Sequence, residues 1–127
     1  MSGNDLNELT DEELVKQFTD MSLEQFETTY EEDDAVAVPV YTRLYRAIHE
    51  ISKILRARGA QSRRALLPLL KHPNAQVRLN AAHELLAVVP QEAYATLETL
   101  AENAPGPQRG RAGMALHFLA EGVYKPT

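Results

Sequence analysis

A chain of 127 residues, 44% hydrophobic and 24% charged, is one domain's worth of ordinary globular composition. It has no cysteine, which excludes disulfides, thiolate catalysis and cysteine-ligated zinc, and no run near the ~20 apolar residues of a membrane span. The net charge of −5 is unevenly spread: residues 1–34 hold 12 acids and one base, Lys16, whereas 35–127 hold 6 acids and 12 bases. The two segments attract each other and offer partners surfaces of opposite sign, although neutralisation of a basic helix by an acidic one is the plainer use. Acids stand near the N-terminus where a secretory signal carries bases and then an apolar run, so the expected location is the cytoplasm.

Residues 1–9 are polar and without period, which predicts a flexible start. Thr10-Asp11-Glu12-Glu13 has the form of a capping box, and its acids suit a helix N-terminus. Leu14, Val15, Phe18, Met21, Phe26 and Tyr30 then follow at helical spacing. Ser22-Leu23-Glu24-Gln25 is a second candidate box. The first helix therefore either runs to about Glu32 or breaks near Ser22, and the continuous version is the expectation. Glu31-Glu32-Asp33-Asp34 has the wrong sign for a helix C-terminus and predicts fraying into a turn. Adjacent acids without a Gly-containing loop lack the alternating ligand spacing of a calcium site, so no metal is assigned there.

Ala35–Val38 reads as a short β-prone connector, with Pro39 in the first turn of the next helix. Val40, Leu44, Ala47, Ile48, Ile51, Ile54 and Leu55 form that helix's apolar stripe. Arg43, Arg46, Glu50 and Lys53 lie opposite, and Gly59 closes the helix after Arg56-Ala57-Arg58. Ser62–Leu70 predicts a short helix bent by Pro68. The brief link Lys71-His72-Pro73 makes it an antiparallel neighbour of the next helix, which Asn74 caps. That helix carries Val77, Ala81, Leu85 and Val88 on one face and stops at Pro90. Ala93, Leu97, Leu100 and Ala101 define a fifth helix, and Asn103-Ala104-Pro105-Gly106-Pro107 is the clearest loop. A sixth helix from about Gln108 to Glu121 is expected to bury Ala112, Ala115, Leu116, Phe118 and Leu119, with Gly122 as its cap. Tyr41, Tyr45, Tyr94 and Tyr124 are read as half-buried packing residues.

A shift of 33 residues lays Arg78 on Arg111, Ala82 on Ala115 and Leu86 on Leu119, an internal repeat of a helix pair. The pattern from Pro73 through Val77-Arg78, Ala81-Ala82 and Leu85-Leu86 resembles a HEAT repeat. In full, Arg56-Ala57-Arg58-Gly59, Arg64–Leu70, His72–Ala82 and the tail Glu121–Thr127 resemble a small bacterial HEAT-like family. That family is known only as a domain of unknown function, number two thousand and nineteen. The resemblance implies an all-α fold of about six helices in three stacked antiparallel hairpins, near 10–59, 60–89 and 90–122. It also implies a structural, inter-repeat role for Arg78 and Arg111. It implies no activity.

No Gly-rich phosphate loop, His-x₃-His pair or nucleophile elbow occurs. His49, His83 and His117 fall on separate hairpins, too far apart to converge on one metal, and no cofactor is expected. The reading that follows is a non-enzymatic protein-binding module, in its most concrete form a small inhibitor or immunity-type protein whose acidic helix covers a basic toxin or enzyme. Its candidate surface is Asn80, His83 and Glu84 with Arg43, Arg46 and Lys53. The alternative is a binder of nucleic-acid backbone through the basic segment 43–64, using Arg43, Arg46, Lys53, Arg56, Arg63 and Arg64. An acidic whole chain, and the expectation that no aromatic residues interleave with the bases for stacking, weigh against it.

Overall fold

The structure, a computed structural model, describes residues 5–29 and 34–127. Every regular element among them is helical. The α-helices are α1 (Asp11–Thr29), α2 (Asp34–Arg58), α3 (Ala60–Arg63), α4 (Ala75–Leu85), α5 (Pro90–Asn103) and α6 (Gly106–Ala120), and 3₁₀ turns occupy Leu6–Glu8 and Arg64–Lys71. The chain divides into two compact units, residues 1–65 and 66–127. The boundary falls inside the segment expected to form the first helix of the second hairpin.

In the first unit the capping box forms as the sequence predicts. The Glu13 amide donates to Thr10 Oγ1 at 3.1 Å and the Thr10 amide to Glu13 Oε1 at 2.9 Å. The helix then runs unbroken through Ser22, whose hydroxyl is not a cap but donates to the Phe18 carbonyl at 2.8 Å. Leu14 and Phe18 are buried on α1, and the same face continues with buried Ser22, Gln25 and Thr28. Against it packs α2, which buries Leu44, Ile48, Ile51 and Leu55 at the expected spacing. Each such side chain, fully buried, contributes roughly 1.5–3 kcal/mol.

Two expectations for this region are corrected. Ala35–Val38 is helical, not an extended connector, and Pro39 lies inside α2, not in its first turn. Asp34 is the first residue of α2, so the helix begins within the acidic run instead of after a connector. Pro39 then removes one backbone donor near the start of a 25-residue helix, a loss the rest of its apolar stripe offsets. Glu31–Asp33 and Tyr30 lie outside the described residues, as do the first four.

Gly59 ends α2 as expected. At φ 118°, ψ 177° it occupies backbone space open essentially to glycine alone, and α3 starts at the next residue. The expected bent helix over Ser62–Leu70 is instead the four-residue α3 followed by the 3₁₀ stretch Arg64–Lys71. Pro68 cannot supply the donor an α-helix would need from it, and the tighter turn buries Leu66, Leu69 and Leu70.

In the second unit Asn74 caps α4, its Oδ1 accepting from the amides of Gln76 at 2.9 Å and Val77 at 3.2 Å. Ala75, Val77, Leu79, Ala81, Ala82 and Leu85 are buried on this helix. It stops at Leu85 rather than at Pro90. Pro90 forces Val89 out of helical geometry (φ −132°, ψ 68°), and the amides of Val88 and Val89 both turn back to the Leu85 carbonyl. Pro90 itself opens α5, which packs against α4 and α6 and buries Ala93, Leu97 and Leu100. The expected loop 103–107 shrinks to Ala104 and Pro105, because Gly106 and Pro107 supply the first turn of α6. Buried Gln108, Ala112 and Ala115 define the inner stripe of α6. Leu116 and Leu119 are half-buried, and Phe118, expected inside, is 37% exposed. Gly122 ends α6 at φ 76°. Its amide reaches the Leu119 carbonyl while the Val123 amide reaches that of Phe118, the paired bonds of a Schellman cap.

Candidate interaction surface

The outer face of α2 carries the first group of expected contact residues. Arg43, Arg46 and Lys53 are all exposed there, because the apolar stripe 44–48–51–55 turns the opposite side of the helix inward. Tyr45, His49 and Arg56 join them, and Tyr45 is 62% exposed rather than half-buried. At 1.5 Å per residue the row from Arg43 to Arg56 spans about 20 Å. It presents four cations against one acid, Glu50, which lies 3.5 Å from the Lys53 ammonium in an exposed i,i+3 pair. Sequence reasoning missed Tyr45 and His49 by assigning tyrosines to packing. The signal was available, since Tyr45 stands between Arg43 and Arg46, off the apolar spacing.

Other bases of the segment 43–64 do not belong to this face. Arg58 is committed to the N-terminal segment: Nη1 donates to Asp11 Oδ1 at 2.8 Å, and Nη2 to the carbonyls of Asn7 at 3.0 Å and Leu9 at 2.7 Å. The bond from Arg58 holds Asp11 below the ordinary carboxylate range, with a further contribution from Ser62. Because the last residue of α2 meets the first of α1, the two helices run antiparallel. Arg63, assigned to phosphate contact by the nucleic-acid reading, is buried and out of reach of a phosphate.

The second group, on α4, is not the open surface it was expected to be. Asn80 is half-buried, and its Oδ1 accepts from Gln76 Nε2 at 3.0 Å. Gln76 is buried and its Oε1 accepts from buried Gln108 Nε2 at 2.9 Å, so an amide chain runs from α6 through α4. His83 Nδ1 meets the Tyr124 hydroxyl at 3.2 Å, and the two rings stand 5.8 Å apart, which fastens the C-terminal tail to α4. Burial holds the His83 pKa below its ordinary value, with Glu84 opposing the shift. Glu84 is half-buried beside it. Asn80 and His83 are thus engaged within the second unit, and the tail residue Tyr124 covers part of a face that the helical period alone leaves open.

The expected inter-repeat role of Arg78 is also revised. Its Nη1 donates to the carbonyls of His72 at 2.9 Å and Pro73 at 3.1 Å, both in the turn before its own helix. Arg111 is half-buried on α6. Among the described residues, no three His, Asp or Glu side chains are grouped to hold a metal ion, and no helix is long and apolar enough to cross a membrane.

The sequence profile of the domain of unknown function DUF2019 matches residues 12–120. The chain is similar in structure to the protein RPA1889 from Rhodopseudomonas palustris CGA009, known from a crystal structure. The two share 37% sequence identity and a TM-score of 0.88, over 97% of this chain and 98% of that one. No curated protein matches. An all-helical architecture, the Arg56–Leu86 motifs and a profile match across most of the length agree, and the chain belongs to the DUF2019 family.

Proposed function

We propose that the chain is a non-enzymatic, cytoplasmic protein-binding module, a HEAT-like arrangement of helical hairpins that presents the outer face of α2 to an acidic partner protein. The observation that supports this reading is the exposed row Arg43, Tyr45, Arg46, His49, Lys53 and Arg56 on one helix. Arg and Tyr are the residue types that most often dominate binding energy at protein interfaces. The row sits on a rigid 25-residue helix, so little ordering entropy opposes contact. A small inhibitor or immunity-type protein is the form of module that fits the size of the chain. The contact is assigned to α2 alone, since Asn80, His83 and Glu84 are held within the second unit.

The second reading, binding to nucleic-acid backbone, draws support from one observation: an exposed aromatic, Tyr45, stands among the bases. Affinity capture from the native host separates the two. The wild-type chain should retain an acidic protein that the R43E/R46E/K53E variant loses. A gel shift of single- or double-stranded nucleic acid at low salt, weakening steeply as salt rises, would favour the second reading. A partner retained equally by the variant would refute both uses of this face.

A further inference from the structure

We infer that a groove on the second unit is a recognition site for a carboxylate carried on a short apolar stem. The groove, of about 190 Å³, is lined by Leu70 from the 3₁₀ stretch, Arg78 from α4, and Ala95, Thr96 and Thr99 from α5. It shares no residue with the basic face of α2.

Arg78 supplies the charge. Both of its bonds are made by Nη1, to the carbonyls of His72 and Pro73, and the edge formed by Nε and Nη2 takes no part in them. Both acceptors are neutral, so they fix the guanidinium without cancelling its charge. A positioned guanidinium edge with two parallel N–H groups is the donor set that fits a carboxylate in bidentate fashion. The order in the Arg78 side chain is already established by the fold, which lowers the entropy cost of using it for binding.

The other walls specify what the carboxylate is attached to. Thr96 Oγ1 donates to the Glu92 carbonyl at 2.9 Å and Thr99 Oγ1 to that of Ala95 at 3.1 Å. Their hydroxyl protons are thus committed along α5 and are not free to donate to a ligand. Leu70 and Ala95 are apolar. A single arginine among Leu70, Ala95 and two threonines without free hydroxyl protons suits a monoanion with a few methylenes better than a phosphate. A glutamate side chain, a peptide C-terminus and a free short-chain carboxylate share this chemistry.

Titration followed by ¹⁵N NMR tests the site on the full chain at constant ionic strength. The probes are butyrate, an end-capped peptide containing one Glu, a peptide with a free C-terminus, and inorganic phosphate. The site predicts saturable shifts of the Arg78 Nε–Hε signal and the amides of residues 95–99 with at least one of the three carboxylates, and the strongest of them names the source. Ala95→Phe fills the groove at an exposed position without touching the bonds of Arg78, and should weaken that binding at least ~tenfold. Arg78→Lys keeps the charge but removes the fork and should weaken it comparably. No saturable shift with any carboxylate, shifts unchanged in Ala95→Phe, or tighter binding of phosphate would overturn the inference.

Discussion

Gln108 on α6 donates its side-chain amide to Gln76 on α4 at 2.9 Å, with both residues buried. Two helices that do not follow one another in the chain are thus tied by a neutral polar bond inside an otherwise apolar unit. Replacing Gln108 with Leu removes this donor from the Gln76 carbonyl and should destabilise the protein by about 1–3 kcal/mol. Substituting both residues with Leu should cost less than the sum of the two single changes, because neither buried glutamine is left without the other, although Asn80 loses its Gln76 donor. Chemical denaturation of the two single variants and the double variant measures the coupling, and strict additivity would contradict it.

Arg58 gathers the carbonyls of Asn7 and Leu9 and the carboxylate of Asp11 onto the end of α2. Asp11 titrates below its ordinary 3.8 in the folded chain, so the folded state binds its proton less readily than the unfolded state. The resulting stabilisation is present above pH 3.8 and is lost as pH falls through the folded value. The pair is partly exposed, which keeps the effect on global stability small. Arg58→Ala should act locally instead, with faster hydrogen exchange in residues 6–14 and near-unchanged exchange in α5. Uniform loss of protection would contradict this assignment.

His83 is held below its ordinary 6.5 by burial, with the sign opposite to that of a histidine gaining an acidic partner. Its contribution is present above pH 6.5 and is lost as pH falls through the folded pKa, because the unfolded chain binds the proton more readily. As a neutral ring, Nδ1 can accept from the Tyr124 hydroxyl at 3.2 Å; protonation converts it to a donor. An NMR titration should give His83 a lower midpoint than 6.5, with the Tyr124 resonances moving together with it. Tyr124→Phe should loosen the tail's contact with His83 without changing the helical content of α4. A His83 midpoint above 6.5 would contradict the burial argument.

Gly59 sits at φ 118° between α2 and α3, yet a Cβ there would meet no atom within 4 Å. Gly59→Ala isolates backbone strain from packing, and its expected cost is on the order of 1–3 kcal/mol. Gly110→Ala, in helical geometry with equal space around it, should be neutral or stabilising by up to ~1 kcal/mol. Thermal melts of the two variants compare them directly, and equal effects would contradict the conformational account.

The helices were legible where local signals agreed with the fold. Thr10 and Glu13, Asn74, and the stripe 44–48–51–55 each carry a mechanism that acts within one or two turns. The boundaries that differ from expectation lie at prolines. Pro39 is inside a helix, Pro68 sets a 3₁₀ stretch, and Pro107 stands in a first turn. The candidate site divided along the same line. The exposed bases of α2 follow from one helix's own period. Engagement of Asn80 and His83 depends on Gln76, Gln108 and Tyr124, and no local pattern brings residues 32 or 41 positions apart together.

The central claim, that the α2 face meets a protein, is tested most directly by crosslinking from within it. A photoreactive phenylalanine analogue in place of Tyr45, with the same substitution at exposed Glu98 as control, can be irradiated in the native host. The account predicts a discrete adduct with one acidic protein at position 45, absent at position 98 and abolished by R43E/R46E. Adducts with nucleic acid, or the same adducts from both positions, would contradict it.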